Sequence, residues 1–472
     1  MTSKLHAAPR ALLVLAAVTF LLAGCGDGGS ATGSDGATAK AGAGTVEGAL
    51  RVPQDYKTIQ KAVDAAKAGD LILVDEGTYN EAVDVTTADI TIRGVNRNKV
   101  ILDGQYKLEN GIRVLDTDGV QVENMTATKY LSNGFFWTGS DRYRGSYLTA
   151  THNGDYGIYA FDAYHGQLDH SLGSGSPDAG FYIGECYKCD AVIDTVISEH
   201  NGLGYSGTNS GGDLFIVNSI FRKNRAGIVP NSGSYELCYP GRRNTIVGNT
   251  VYDNNNNEAP AIDVALLAQG NGILIAGSVE NVIERNLVFD HDRTGIAAVP
   301  FPEDDANDVA PPKSEWDRTC ASTRDEEIPA EDASPGTILW HPYDNSIQDN
   351  VVSGSGLADL VSATLPSETV TVESLGNCFS GNTFTSTAPT DLETLSPCGG
   401  PTTGDWSKGA FDLIPLIADQ APAPPEDTYR KTPEPGDQPT MPNADTAPAK
   451  KFTRPAKVDV AAIKVPTKPK GA

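Results

Sequence analysis

Short apolar segments recur along this chain at a nearly fixed interval, each starting just after a glycine. Gly111, Gly134, Gly157, Gly180, Gly204, Gly227, Gly272 and Gly295 step by 23, 23, 23, 24, 23, 45 and 23 residues. Each precedes an apolar or aromatic residue: Ile112, Phe135, Ile158, Phe181, Tyr205, Ile228, Ile273 and Ile296. A period of this length, carried by strand-like alternation and no helical pattern, predicts a solenoid whose turns bury their faces only against their neighbours. A second phase supports it. A polar residue starts another short strand at Asn124, Tyr147, His170, Asp194, Asn218, Asn249, Asn286, Asn350 and Asn382, and six of these nine are asparagine. Stacked asparagines at a bend can satisfy one another's amides up and down a column. An up-and-down β-sandwich shares the spacing but does not hold one residue type at one phase.

Ahead of the repeats, Thr58 to Ala68 reads as an amphipathic helix, with Ile59, Ala62, Val63 and Ala66 on one face and Gly69 ending it. Strands are predicted at Leu71–Val74, Val83–Val85, Ile90–Arg93 and Val100–Leu102. A helix in this place covers the open end of a solenoid, whose bare edge recruits other strands. Two stretches interrupt the coils: Ser232 to Arg243 with Asn255 to Gln269, and Pro300 to Pro335. The second holds Glu303, Asp304, Asp305, Asp308, Glu315, Asp317, Asp325, Glu326, Glu327, Glu331 and Asp332 without the spacing of a calcium loop, and reads as a solvated insertion.

The segments Tyr56-Lys57-Thr58-Ile59-Gln60-Lys61-Ala62-Val63, Ala68-Gly69-Asp70-Leu71-Ile72-Leu73-Val74, Glu76-Gly77-Thr78-Tyr79 and Ile92-Arg93-Gly94 resemble the opening of right-handed parallel β-helix proteins of the pectin-lyase-like superfamily. With the later coils the resemblance spans about residues 50 to 400. It implies an all-β, single-stranded right-handed parallel β-helix with an N-terminal capping helix and long loop insertions. Its implication for function is broader, because lyases, hydrolases, epimerases, esterases, phage adhesins and non-catalytic periplasmic proteins share this fold.

The ends add a cellular address. Lys4 and Arg10 precede an apolar run from Ala11 to Leu22, the pattern of a secretory signal over residues 1–24. Leu22-Ala23-Gly24-Cys25 resembles the bacterial lipobox, which makes Cys25 the lipid-bearing N-terminus of a protein on the outer side of a cell membrane. Residues 25–48, rich in Gly, Ser, Ala and Thr, read as a tether, and 49–400 as the β-helix. Residues 401–472, rich in Pro and Lys, are expected to be largely disordered, since they offer little apolar surface to bury. A net charge of −25 disfavours nucleic acid and anionic polymers as partners.

Beyond Cys25, six cysteines remain: Cys186, Cys189, Cys238, Cys320, Cys378 and Cys398. An oxidising compartment favours disulfides, and Cys378 with Cys398 and Cys238 with Cys320 are candidate pairs. The C-x-x-C at Cys186 and Cys189 is read as a structural staple, with redox and metal roles as its alternatives.

Side chains one period apart stand above one another at about 4.8 Å, the spacing of neighbouring strands. Phe136, Tyr159 and Tyr182 form such a column, and alternation points them outward. Exposed aromatic faces suit sugar rings, although an insertion packed over them would turn the column into a second core. Asp162 and Glu185, followed by Asn209, make a second column, in which two carboxylates need a cation, a shared proton or donors. The superfamily resemblance implies Ca2+ here, since polysaccharide lyases of this fold commonly use it to hold a uronate carboxylate. Arg142, Arg144, His165 and Lys188 are candidates for base and charge stabiliser in an elimination or epimerisation, with Tyr143 and Asp190 nearby. The sequence departs from the catalytic motifs of such enzymes: it has no G-H-G, and Asp290-His291-Asp292 lacks the proline of the epimerase D-P-H-D. Two functions follow. One is a monomeric, membrane-anchored, non-catalytic protein that binds polysaccharide or cell-envelope glycan along its flank. The other is a calcium-assisted polysaccharide lyase or uronate C5-epimerase.

Overall fold

The computed structural model describes residues 46–323, 336–365, 369–418, 420 and 422–471. The predicted signal peptide, the lipid-bearing Cys25 and most of the tether lie outside these residues, as do Asp325, Glu326, Glu327, Glu331 and Asp332 of the acidic insertion.

Each turn of the chain lays down three short strands, one in each of three parallel sheets. Ile112–Leu115 lies in sheet C, Gln121–Glu123 in sheet A and Thr126–Thr128 in sheet B; the chain then returns to sheet C as Phe135–Thr138, pairing in parallel with Ile112–Leu115. Repetition builds sheets of 13, 11 and 10 strands among the described residues, the architecture of a parallel β-helix. Inward residues such as Ile112, Phe135, Ile158, Phe181, Tyr205 and Ile228 line a continuous interior core.

The periodic glycines align in space. A Cβ at Gly111 would lie 2.4 Å from the Gly134 carbonyl oxygen, one at Gly134 2.7 Å from that of Gly157, and one at Gly157 2.6 Å from that of Gly180. This corner admits no side chain, so the repeat marks close backbone approach between coils.

The asparagine column exists, with one correction of register. Asn382, Asn350, Asn286 and Asn249 form one ladder: Asn249 donates its backbone N–H and Nδ2 to Asn286 Oδ1 at 3.0 Å, and Asn286 does the same to Asn350 at 2.9 and 3.0 Å. The residue below Asn249 is Ser219, whose N–H reaches Asn249 Oδ1 at 3.0 Å, not Asn218. Asn124, Tyr147, His170 and Asn218 occupy the preceding position, which turns the chain at φ of 50° to 58°. Two further ladders stand at the other corners, Asn201–Asn224–Asn254 and Asn244–Asn281–Asn345–Asn377.

Helix Ile59–Ala65 closes one end, shorter than its sequence pattern. Thr58 Oγ1 caps it by accepting from Lys61 N–H at 3.2 Å, and Ile59, Ala62 and Val63 are buried. The three cysteine pairs are Cys186–Cys189, Cys238–Cys320 and Cys378–Cys398.

The tail departs from expectation. Residues 422–471 run along the outside of sheets B and A instead of standing free. Val458, Val460 and Ile463 pack on Val192, Val217 and Val247, while Gln121 Nε2 donates to Lys450 O at 2.7 Å and Arg285 Nη2 to Val460 O at 2.8 Å. Composition understated this segment, since a strap needs only a few well-placed apolar side chains when its carbonyls find donors on the body. Among the described residues no helix is long and apolar enough to cross a membrane.

Candidate functional site

The insertions frame one face. Loop 232–241 and the described residues 300–323 and 336–345 lie between sheet C and sheet A along the chain, and 253–270 returns from sheet B to sheet C, so insertions flank sheet C on both edges. Alternation turns every second residue of its strands outward, and register stacks one such column as Arg113, Phe136, Tyr159, Tyr182, Ser206 and Val229. The ring centroids of Phe136 and Tyr159 are 4.9 Å apart and those of Tyr159 and Tyr182 4.8 Å, the latter pair stacked at 19°. Tyr156, two residues before the strand, adds a ring 4.5 Å from Tyr159 and 4.9 Å from Tyr182.

The expectation of an exposed column therefore holds for only part of it. Phe136 and Tyr159 are half-buried, but Tyr182 is 1% exposed because loop 232–241 folds over it. The Tyr182 hydroxyl donates to the Glu236 carboxylate, 2.6 and 2.7 Å from its two oxygens. That loop is firmly tied. Asn209 Nδ2 donates to Gly233 O at 2.6 Å and Glu236 O at 2.8 Å, Ser234 N–H and Oγ donate to Glu303, and Cys238 is joined to Cys320.

Asp162 and Glu185 do stack on successive coils, since the preceding residues Phe161 and Gly184 are paired. Their surroundings differ from a cation cage. Glu185 is nearly buried and its Oε2 accepts the Leu237 N–H at 3.0 Å, so this carboxylate braces the loop through its donors. Among the described residues no group of three or more His, Cys, Asp or Glu is arranged to hold a metal ion.

Arg142, Arg144, His165 and Lys188 are not brought to the aromatic floor. Arg144 lies in a sheet A strand, bonded to Glu123 and Asp169 at 3.0 Å each, and Arg142 reaches Asp89 at 2.9 Å. His165 stands at the corner between sheets, its Nδ1 against Asp141 and its Nε2 3.7 Å from Asp190. Lys188 is exposed within the Cys186–Cys189 turn. These groups sit around the neighbouring corner and face, where Arg142, Arg144 and His165 already meet carboxylates.

What does gather beside the aromatic rings is a set of carboxyls that the sequence reading passed over. Asp155 and Asp178 occupy equivalent places on successive coils, with Asp178 N–H donating to Asp155 O at 3.2 Å. Burial pushes Asp155 up to about 6. Asp178 rises to about 8, through burial and then the charge of Asp155. Glu236 is held well above the usual carboxylate range by burial and by Glu185 and Asp178, and the Tyr159 phenol is raised by burial first and then by Glu236, Asp155 and Asp178. The charged neighbours acting on Asp178 and Glu236 are other carboxylates. The result is an aromatic floor ending against acids that hold a proton more tightly than a free carboxylic acid does. Asp155 and Asp178 were legible, being 23 residues apart like the glycines they precede by two. Glu236 and Glu303 sit in insertions, where no period marks them.

A family described as a right-handed β-helix region matches residues 133–300. Among solved structures, the chain is similar to the A-module of mannuronan C-5 epimerase AlgE4 of Azotobacter vinelandii, at 12% identity over 72% of this chain and 93% of that one, with a TM-score of 0.46. It is also similar to an alginate lyase from Paenibacillus sp. str. FPU-7, at 16% identity over 51% and 89% with a TM-score of 0.33, and to pectate lyase Pel9A, at 13% over 85% and 84% with 0.38. No curated protein matches the chain in sequence. These structures carry no function to this chain; the family match agrees with the right-handed parallel β-helix seen in the coils.

Proposed function

We propose that this protein binds an extended polysaccharide on the outer face of sheet C, as a lipoprotein held by Cys25 on the outer side of a membrane and acting as a monomer. The observation that carries the binding reading is the partly open aromatic column, Phe136 and Tyr159 with ring centroids 4.9 Å apart and planes tilted by 52°, at the mouth of a walled face. Flat rings in such a column bury the apolar faces of sugars while neighbouring polar groups meet their hydroxyls. The address rests on the sequence, Lys4 and Arg10 before an apolar run that ends in Leu22-Ala23-Gly24-Cys25. Calorimetric titration against a glycan panel tests binding. Phe136→Ala and Tyr159→Ala are each expected to weaken it about tenfold, the loss of ~1.4 kcal/mol of ring contact. Unchanged affinity in both variants would remove the reading.

A second reading, an acid–base enzyme of the lyase or epimerase class, is favoured by Asp155, Asp178 and Glu236 beside Tyr159, since raised carboxyls next to a substrate platform suit proton transfer. The calcium-assisted form loses support from Glu185, whose Oε2 is engaged by the loop. Absorbance of unsaturated uronate, with proton NMR for epimerised residues, distinguishes this reading from binding alone. Activity that survives chelation and disappears in Asp178→Asn would support it.

A further inference from the structure

We infer, resting on the binding reading above, that the face over sheet C ends blindly at Tyr182 and so receives the end of a glycan chain and not its middle. A polymer bound along a β-helix flank must follow the column of outward side chains from coil to coil. Here the column changes character. After Tyr182 and the buried Ser206 it continues as Val229, Leu274 and Ala297, which form a second apolar core.

That core is covered from both sides by the protein's own chain. Val264 and Leu267, from the insertion between sheets B and C, close over it together with Leu413 and Ile417, from the first part of the tail. The space they leave is a small, mostly apolar cavity of about 50 Å³ lined by Val229, Leu274 and Ala297, which offers a sugar few hydrogen-bond partners. The step between open and closed floor is the loop that carries Glu236, and it is fastened by Glu303. This carboxylate accepts from Ser234 Oγ at 2.7 Å and from Trp340 Nε1 at 2.6 Å, tying the loop to the hairpin formed by Phe301–Ala306 and Gly336–Trp340.

In the other direction nothing comparable intrudes among the described residues. Beyond Phe136 the column continues to Arg113, a partly exposed residue that makes a two-point contact to Asp84 at 2.9 and 3.1 Å. The open floor thus has one mouth and one closed end. The polar groups of the floor are concentrated at the closed end, where Asp155, Asp178 and Glu236 surround Tyr156, Tyr159 and Tyr182. A chain end differs from an internal residue by a hydroxyl where the next glycosidic bond would be. A terminus seated on Tyr159 brings that extra hydroxyl toward hydrogen-bonding carboxyls, whereas an internal residue would drive its neighbour into the wall.

The test is stoichiometry against chain length, using gluco-, manno-, N-acetylglucosamine and mannuronate oligosaccharides of defined length and the corresponding polymers, with the full mature chain titrated by calorimetry. The expected result, for whichever series binds, is one protein per polymer chain at every length, affinity per chain levelling off once the floor is filled, and loss of binding when the recognised terminus is chemically blocked. Proteins bound per chain rising in proportion to length would overturn the chain-end inference while leaving polysaccharide binding intact. No binding to any series would remove the binding reading and this inference with it.

Discussion

Asp178 shows how a single residue couples this site to the stability of the protein. Its folded-state pKa is raised to about 8, whereas an unfolded aspartate titrates near 3.9. The folded state therefore holds the proton more tightly than the unfolded chain, and stability falls as pH rises between these two values. Asp155, raised in the same direction, steepens the lower part of that slope. Asp178→Asn removes one ionisation without changing shape. We expect its melting temperature to fall less than that of the parent between pH 5 and about 8, leaving the variant more stable at the alkaline end; parallel curves for the two proteins would contradict the assignment. The residue scale is also where sequence reading slipped by one position. Asn218 and Ser219 are both small and polar, and only the observed hydrogen bond from Ser219 N–H to Asn249 Oδ1 says which of them joins the ladder.

At the scale of elements, the corners rather than the strands carry the repeat. Many strands here are only three residues long, so each corner must satisfy backbone groups that a longer ladder would otherwise hold. Asn286 is the clearest case. Its Oδ1 accepts twice from Asn249, and its Nδ2 donates to Ile246 O at 2.9 Å and to Asn350 Oδ1 at 3.0 Å, all fully buried. Asn286→Ala strands several of these groups at roughly 1–3 kcal/mol each. The expected outcome is a loss of at least ~3 kcal/mol in denaturant unfolding, or failure to fold, against less than ~0.5 kcal/mol for an exposed asparagine such as Asn257. Comparable losses at the two positions would show that the ladders are incidental. The recurrence of asparagine made one ladder legible, and the same signal marked the others: Asn244, Asn281, Asn345 and Asn377 repeat its intervals of 37, 64 and 32 residues, and Asn201, Asn224 and Asn254 follow one another at 23 and 30.

Over the whole molecule, the tail binds distant coils together. Tyr429 meets Tyr106 edge-on at 5.8 Å, Thr440 Oγ1 donates to Asn124 Oδ1 at 2.9 Å, and Lys468 lies over the Phe289 ring at 4.1 Å, so one segment touches early and late turns. It also covers Arg97, a buried guanidinium held by Thr149 Oγ1 at 2.8 Å and by the tail's Pro439 O at 3.2 Å. Ending the chain after residue 421 uncovers this arginine and the apolar stripe of Val192, Val217 and Val247. A loss of about 3 kcal/mol is expected from the apolar surface alone. It should be read as a lower melting temperature and faster amide exchange in the strands beneath the strap; unchanged exchange there would mean that the tail does not brace the body.

Local repetition is what the sequence by itself determined. Glycine and asparagine spacing, together with inside–outside alternation, follows from the geometry of one coil, and each coil repeats that geometry against its neighbour. The tertiary structure alone decided which outward residues remain open. Phe136 and Tyr182 occupy equivalent places in the repeat, yet only Tyr182 lies beneath Glu236, 54 residues further on. Arg144 lies six residues from Thr138 along the chain, yet it lies in a different sheet from the aromatic floor. Contacts made by insertions and a strap have no period, because they depend on where long segments return in space, and loop closure over such distances leaves no regular mark on the residues it joins.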